Sequence, residues 1–142
     1  MNEHIQIFPP LLQLFESEKN PSSRDLGIIC ENFVCSFLQE RKETILYRNF
    51  RTRYGEIDII SQNAKLISFV EVRSKTSTAF GDPVETVSFE KQRKIIQTAQ
   101  AFLSYYGVPD NLAIRFDIAS IRIIKPESLG LTYFENAFNS NE

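Results

Sequence analysis

Two acidic residues, Asp58 and Glu71, stand in the middle of stretches that otherwise predict apolar β-strands. Asp58 lies in "GEIDIIS" and Glu71 in "LISFVEV", with twelve residues between them. Acidic side chains are depleted from strands, and like charges on adjacent strands repel one another. A pair of carboxylates is, however, the kind of oxygen-rich ligand set that hard divalent cations bind. The two residues therefore predict a metal site for Mg²⁺ or Mn²⁺.

A hairpin between these two strands is expected to bring the carboxylates together. If "QNAK" forms a four-residue loop, Ser61 pairs with Leu66. Asp58 then lies opposite Phe69, one step along from Glu71 and on the same face of the sheet, because side chains alternate along a strand. A slip of one residue would place the two carboxylates on opposite faces.

Arg73 and Lys75 follow Glu71 at intervals of two residues, so a continued strand carries all three on one face. A cation in this position can neutralise a carboxylate, hold a phosphate or stabilise charge that develops on it. Because arginine stays protonated, Arg73 cannot act as a general base. Activation of a nucleophile would then depend on the metal. An exposed strand face with ordinary ion pairs is the alternative interpretation of the same residues.

Further basic residues are concentrated in the middle of the chain. Residues 41–94 hold eleven Lys and Arg against seven Asp and Glu, a net charge of +4, whereas the whole chain carries −2. Lys91 and Arg93 fall in the first turns of a predicted helix, where a phosphate would be favourable. Arg51 and Arg53 lead into the hairpin, and they could follow a nucleic-acid backbone. Plain exposed charge is the alternative for all four.

Helical periodicity predicts two helices that would flank these strands. The first covers about Ser23–Arg41, where apolar residues recur at helical spacing. The second covers about Phe89–Tyr106, with Ser88 as N-cap and Gly107 just beyond its C-terminus.

Four strands are predicted around the helices. "TILYRNF", "GEIDIIS" and "LISFVEV" lie between them, and "LAIRFDIASIRII" follows the second helix. The last of these is apolar on both faces, so we expect it at the centre of the sheet. The order α-β-β-β-α-β predicts an α/β fold with a mixed β-sheet flanked by helices. Residues 24–142 are predicted to form one domain after an N-terminal arm, 1–23, and "LTYFENAF" is either a short strand or a last helical turn.

The remaining signals argue against a membrane or disulfide-stabilised protein. The chain has no apolar run of about 18 residues, and its first residues lack the pattern of a signal peptide, so a cytoplasmic location without a membrane partner is expected. Cys30 and Cys35 are expected to be buried free thiols rather than zinc ligands. Arg115 and Asp117 share one face of the long strand and predict a structural ion pair.

Longer strings of the sequence carry a family resemblance. They are "LGIICENFVCSFL", "YRNFRTRYGEIDII", "FVEVRSK", "FGDPVETVSFEKQRKIIQTAQAFL" and "IRFDIASI". Together they resemble the YraN-like family of predicted endonucleases, within the PD-(D/E)XK superfamily, over about residues 24–124. The resemblance implies a restriction-endonuclease-like core. It also implies that Asp58 and Glu71 bind the metal and that Glu31, in "GIICE", assists them.

The same resemblance implies roles for the basic residues and a class of substrate. Arg73 stands where the superfamily has its lysine, and Lys75 is a second candidate for that role. The implied activity is metal-dependent hydrolysis of phosphodiester bonds in DNA, with branched or flapped DNA as candidate substrates and RNA as an open alternative. A nucleic-acid-binding module without cleavage and a protein-interaction domain remain alternatives. The oligomeric state is open, a homodimer included.

Overall fold

The computed structural model describes residues 2–7, 23–75, 87–125 and 128–139. These residues form one six-stranded sheet in the order β1-β6-β5-β4-β3-β2. Only β4 and β5 pair in parallel, and all other neighbours are antiparallel. The predicted α/β fold with a mixed sheet is confirmed. The elements are β1 Asn2–Ile7, α1 Ser23–Glu40, β2 Thr44–Thr52, β3 Gly55–Gln62, β4 Leu66–Lys75, α2 Phe89–Tyr106, β5 Ala113–Lys125 and β6 Ser128–Phe138.

Both predicted helices are present, and local capping explains the ends of α2. Its bounds are those predicted, and the Ser88 hydroxyl accepts a hydrogen bond from the Lys91 N–H at 3.1 Å. At the other end Gly107 adopts the left-handed conformation, with φ of 63°. Glycine reaches this conformation without a steric penalty. Neither described helix is long and apolar enough to cross a membrane.

The two helices cover opposite faces of the sheet. Residues adjacent along one strand point to opposite faces, and they belong to two different buried clusters, one under each helix. On the α1 face, Phe33 and Leu38 belong to the buried cluster that includes Val70. On the α2 face, Phe102 packs with Phe69, the residue just before Val70. The long strand β5 lies between β4 and β6 and supplies buried residues to both clusters, which confirms its predicted central position.

The predicted element order lacked two strands. The C-terminal segment "LTYFENAF", predicted to be either a short strand or a helical turn, lies in the eleven-residue strand β6. Part of the predicted arm, residues 2–7, forms β1 and pairs with β6 from Asn2↔Tyr133 to Ile7↔Ser128. This pairing joins the two ends of the chain, so no local pattern indicates it. Two further strings lie outside the described residues. They are "LLQLFESE", whose apolar residues predict a short helix, and "GDP" at residues 81–83, which predicts an interruption of regular secondary structure.

The predicted hairpin register is wrong by two residues. Gln62, not Ser61, begins the pairing, opposite Ile67. The Asn63 carboxamide oxygen accepts hydrogen bonds from the backbone N–H groups of Lys65 and Leu66, at 2.8 and 3.0 Å. The Asn63 N–H also donates to the Leu66 carbonyl at 3.0 Å, so only Ala64 and Lys65 lie between the hydrogen-bonded residues. The turn is therefore tighter than "QNAK", and asparagine commonly supports such turns. Because side chains alternate with a period of two, a shift of two residues by itself moves no side chain to the other face. The alternation is interrupted around Asp58, since Ile57 and Ile60 belong to the same buried cluster.

Candidate metal and nucleic-acid site

The two acidic residues meet where β3 and β4 separate. Paired residues end at Ile59↔Val70, and continuing this register puts Asp58 opposite Glu71. At this point the Val72 N–H donates to the Asp58 carboxylate at 2.8 Å. The side-chain oxygen of Asp58 thus accepts the Val72 N–H in place of a backbone carbonyl of β3. The Asp58 carboxyl group is held beside Glu71, whose side chain is only 5% exposed.

The two carboxyl groups, taken by themselves, have unfavourable electrostatics. Burial, followed by the hydrogen bond and charge of Glu71, raises the pKa of Asp58 to about 8. The Val72 N–H partly opposes this rise, and the charge of Glu31 adds to it. Oε2 of Glu71 is buried and lacks a hydrogen-bond partner. Two buried carboxyl groups with too few donors form a site that a cation would stabilise.

Two basic side chains reach the same oxygen of Glu71. The Lys91 ammonium group, from the first turn of α2, makes an ion pair with Oε2. Nη1 of Arg73 lies 3.9 Å from it. Since Oε2 has no hydrogen-bond partner, the Lys91 contact is a charge contact without hydrogen-bond geometry. Both basic side chains remain partly exposed, so each could also contact a phosphate.

Glu31 lies near the pair but is held by other residues. Its Oε1 accepts a hydrogen bond from the Asn49 amide at 3.3 Å and lies 3.6 Å from Arg48 Nη2. Within the described ranges, no three Asp, Glu, His or Cys side chains converge as a metal cluster. The donor set is therefore two carboxylates, which fits Mg²⁺ because this ion usually keeps several waters and takes one or two carboxylates.

Asn49 is a site residue that the sequence reasoning missed. Its neighbours Arg48 and Phe50 pair with Ile59 and Ile57, so Asn49 falls opposite Asp58. Asn49 has φ of 54°, a left-handed conformation that is rare within a strand but accessible to asparagine. The signal in the sequence was a turn-forming residue inside the β-rich string "YRNF".

The other predicted basic residues lie apart from the acid pair. Lys75 is the last residue of β4, opposite Arg122. Arg51 pairs with Glu56 at 3.3 Å, and the Arg53 guanidinium lies 5.0 Å from the centre of the Tyr54 ring. Arg93 is exposed on α2. Of the predicted nucleic-acid contacts, only Lys91 is brought to the acid pair within the described part of the chain.

A second buried acid, Asp117, shows what a structural carboxylate looks like in this protein. Arg115 donates to both of its oxygens, at 2.8 and 3.0 Å, which confirms the predicted ion pair. The Tyr133 hydroxyl and the Asn136 N–H donate at 2.7 and 2.9 Å. Burial and the Asp117 charge raise the pKa of Tyr133, so the hydroxyl stays a donor. Asp117 is satisfied by four donors, in contrast to Glu71.

The cysteines are buried free thiols, as predicted. They take no part in the acid pair, so carboxylates and basic side chains define the site. The chain is thus a mixed α/β protein with an acidic pair on β3 and β4 and adjacent cations from β4 and α2.

This chain belongs to the family described as "Uncharacterised protein family UPF0102", whose model matches residues 30–121. A UPF0102 protein of Dictyoglomus turgidum is 40% identical over 119 residues, covering 82% of this chain and 99% of the relative. One of Clostridium botulinum is 34% identical over 119 residues, covering 83% and 97%. One of Caldicellulosiruptor bescii is 42% identical over 100 residues, covering 70% and 84%.

Proposed function

We propose that this protein is a Mg²⁺- or Mn²⁺-dependent endonuclease with a restriction-endonuclease-like core that hydrolyses phosphodiester bonds in DNA. The observation that carries the proposal is the Asp58–Glu71 pair. Its two carboxyl groups lie side by side with most of their surface buried, and one buried oxygen of Glu71 lacks a hydrogen bond although the Lys91 ammonium group contacts it. Costly arrangements of this kind cluster at functional sites.

Asp58 and Glu71 would hold the divalent cation. When bound, the cation supplies positive charge to the phosphate and acidifies water so that it can attack. The Val72 N–H fixes the direction of the Asp58 carboxylate. Glu31, held by Asn49 and Arg48, contributes negative charge to the site and is not assigned as a direct ligand.

Arg73 and Lys91 would hold the phosphate beside the cation. Each already contacts Glu71 and remains partly exposed. Arginine binds phosphate oxygens through paired N–H groups and does not give up its proton. Arg73 therefore positions the phosphate and stabilises its developing charge, but does not accept a proton from water. Arg51 and Arg53, at the exposed β2–β3 turn, would contact the DNA backbone further away.

One observation favours a second candidate, a nucleic-acid-binding module that does not cleave. The Lys91 ammonium group already partly neutralises Glu71, so the pair has a cation without any metal. In this alternative the protein binds DNA through the same basic residues and yields no product with any divalent ion.

A cleavage panel distinguishes the two. Linear, flapped and four-way DNA is incubated with Mg²⁺ or Mn²⁺ and the wild type, Asp58→Asn or Glu71→Gln, and Asp110→Asn serves as a matched control because Asp110 is exposed in the turn after α2. We expect cleavage by the wild type and by the control, and none by the other two variants with their folds intact. Metal-dependent cleavage retained in both purified variants would contradict the proposal, and salt-dependent binding without product would favour the binding module.

A further inference from the structure

We propose that the outer face of α2 binds an unpaired nucleobase and a phosphate beside it. The site is an open groove of about 290 Å³, here called the Phe89 groove, and its lining residues are Phe89, Glu90, Arg93, Lys94 and Gln97. The inference rests on the proposed function, since it specifies which DNA that function would act on.

The exposure of Phe89 is the first observation. This side chain is 57% exposed, and no other phenylalanine among the described residues is exposed to this degree. Burying such a side chain would stabilise the fold. Phe89 follows the N-cap Ser88 directly, and capping requires no aromatic residue at this position. Folding therefore gives no reason for an exposed ring at the start of α2.

The charge around the ring is the second observation. Phe89, Arg93 and Gln97 recur at intervals of four residues, so they form one row along the helix. Lys94 lies beside this row, and its ammonium group is 3.6 Å from Glu90. Both of these side chains are mainly exposed, so this ion pair is weak and exchanges readily with another anion. Two cations against one carboxylate leave the groove with a net positive charge.

These features fit a single-stranded nucleotide better than a duplex. The Phe89 ring offers a flat apolar face, Arg93 and Lys94 offer charge to a phosphate, and the Gln97 amide can hydrogen-bond the edge of a base. Bases within a duplex have their faces covered by their neighbours, so a ring can stack on them only after they have been unstacked, whereas an unpaired or terminal base already offers a free face. An apolar peptide would not need the cations.

The groove lies close enough to the acid pair to serve the same strand. Lys91 reaches Glu71 on the sheet side of α2. Phe89, two residues earlier, points about 200° away around the helix axis, and an α-helix with side chains is about 10 Å across. A strand with its scissile phosphate at the acid pair can thus pass the N-terminus of α2 and place a neighbouring base on Phe89. We infer that the preferred substrate has an unpaired segment next to the cleaved bond.

Binding without cleavage provides the test. Fluorescence anisotropy in EDTA, at fixed ionic strength, measures the Kd of single-stranded, flapped and blunt duplex DNA for the wild type, Phe89→Ala and Phe89→Tyr. Because stacking on an aromatic ring is worth about 1–3 kcal/mol per base, Phe89→Ala should weaken binding of the first two DNAs by about fivefold or more. Binding of the blunt duplex should not change, and Phe89→Tyr should bind like the wild type.

Tyr105→Ala is the matched control, because Tyr105 is 81% exposed at the far end of the same helix. Four results would each overturn the proposal that the Phe89 groove binds a base. They are unchanged binding by Phe89→Ala, an equal loss of affinity for blunt duplex, an equal loss in Tyr105→Ala, and no DNA binding by the wild type. The outcomes are separable from the proposed function. If cleavage depends on Asp58 but Phe89→Ala has no effect on binding, only the proposal for the Phe89 groove is wrong. If the expected binding pattern is found without cleavage, only the proposed nuclease activity is wrong.

Discussion

Replacing Asp58 by asparagine is expected to stabilise the metal-free protein, whereas the same change at Asp117 is expected to destabilise it. The two aspartates differ in their surroundings. Asp58 lies against Glu71 with the Val72 N–H as a hydrogen-bond donor. Asp117 is fully buried and accepts hydrogen bonds from Arg115, Tyr133 and Asn136.

The magnitude at Asp58 follows from its raised pKa. Folding moves the pKa from 3.8 to about 8, so at neutral pH the carboxyl group takes up a proton on folding. This uptake costs at most about 4 kcal/mol, and the cost grows as the pH rises from the unfolded to the folded pKa. The amide oxygen of asparagine can keep the Val72 hydrogen bond. We therefore expect Asp58→Asn to raise the free energy of unfolding by about 1–3 kcal/mol at neutral pH. Below the unfolded pKa the gain disappears.

At Asp117 the same substitution is expected to lower the free energy of unfolding. Asparagine there removes the carboxylate that accepts both Arg115 hydrogen bonds, and the guanidinium keeps the contact at 3.5 Å with the partly exposed Glu135. Breaking one side of a buried ion pair costs about 3–5 kcal/mol. Urea unfolding in EDTA, followed by circular dichroism, gives both values as shifts of the midpoint at unchanged slope. A loss of stability in Asp58→Asn at neutral pH, or a change of the same sign in both variants, would refute the reasoning.

Three further predictions concern residues around the site. Tyr133→Phe removes the hydroxyl that donates to Asp117 at 2.7 Å and should lower the free energy of unfolding by about 1–3 kcal/mol; an unchanged urea midpoint would contradict this. Asn49→Ala should destabilise the protein by about 1 kcal/mol more than Asn49→Gly, because glycine accepts the φ of 54° without strain; equal urea midpoints would contradict this. Burial raises the pKa of the Cys30 thiol to about 11, so a thiol reagent should label Cys30 only when the protein unfolds. Rapid labelling of Cys30 in the native protein would contradict this.

Local signals in the sequence predicted several parts of the molecule correctly. The bounds of α2 follow from Ser88 and Gly107, because capping is a property of neighbouring residues. The position of β5 at the centre of the sheet follows from its apolar residues on both faces. The adjacency of Asp58 and Glu71 survived an error in the register, since a shift of two residues conserves the faces.

Features that depend on contacts distant in sequence could not be predicted. The pairing of β1 with β6 joins opposite ends of the chain. The hairpin turn was instead a local signal that was missed, because the Asn63 side chain accepts hydrogen bonds from residues only two and three positions ahead. The hydrogen bond from Asn49 to Glu31 links β2 to α1, so no spacing rule indicates it. Lys91 was predicted as a contact for DNA, but its ion pair with Glu71 requires the packing of α2 on the sheet.

The most direct test of the central claim is calorimetric titration of Mn²⁺ into the wild type, Asp58→Asn, Glu71→Gln and the control Asp110→Asn at neutral pH. If the acid pair is a metal site, the wild type and the control bind Mn²⁺ with equal affinity. The other two variants should bind it at least about tenfold more weakly, since even the loss of residues that only support metal ligands has this effect. Equal binding by all four proteins, or no binding by the wild type, would contradict the assignment of Asp58 and Glu71 as metal ligands.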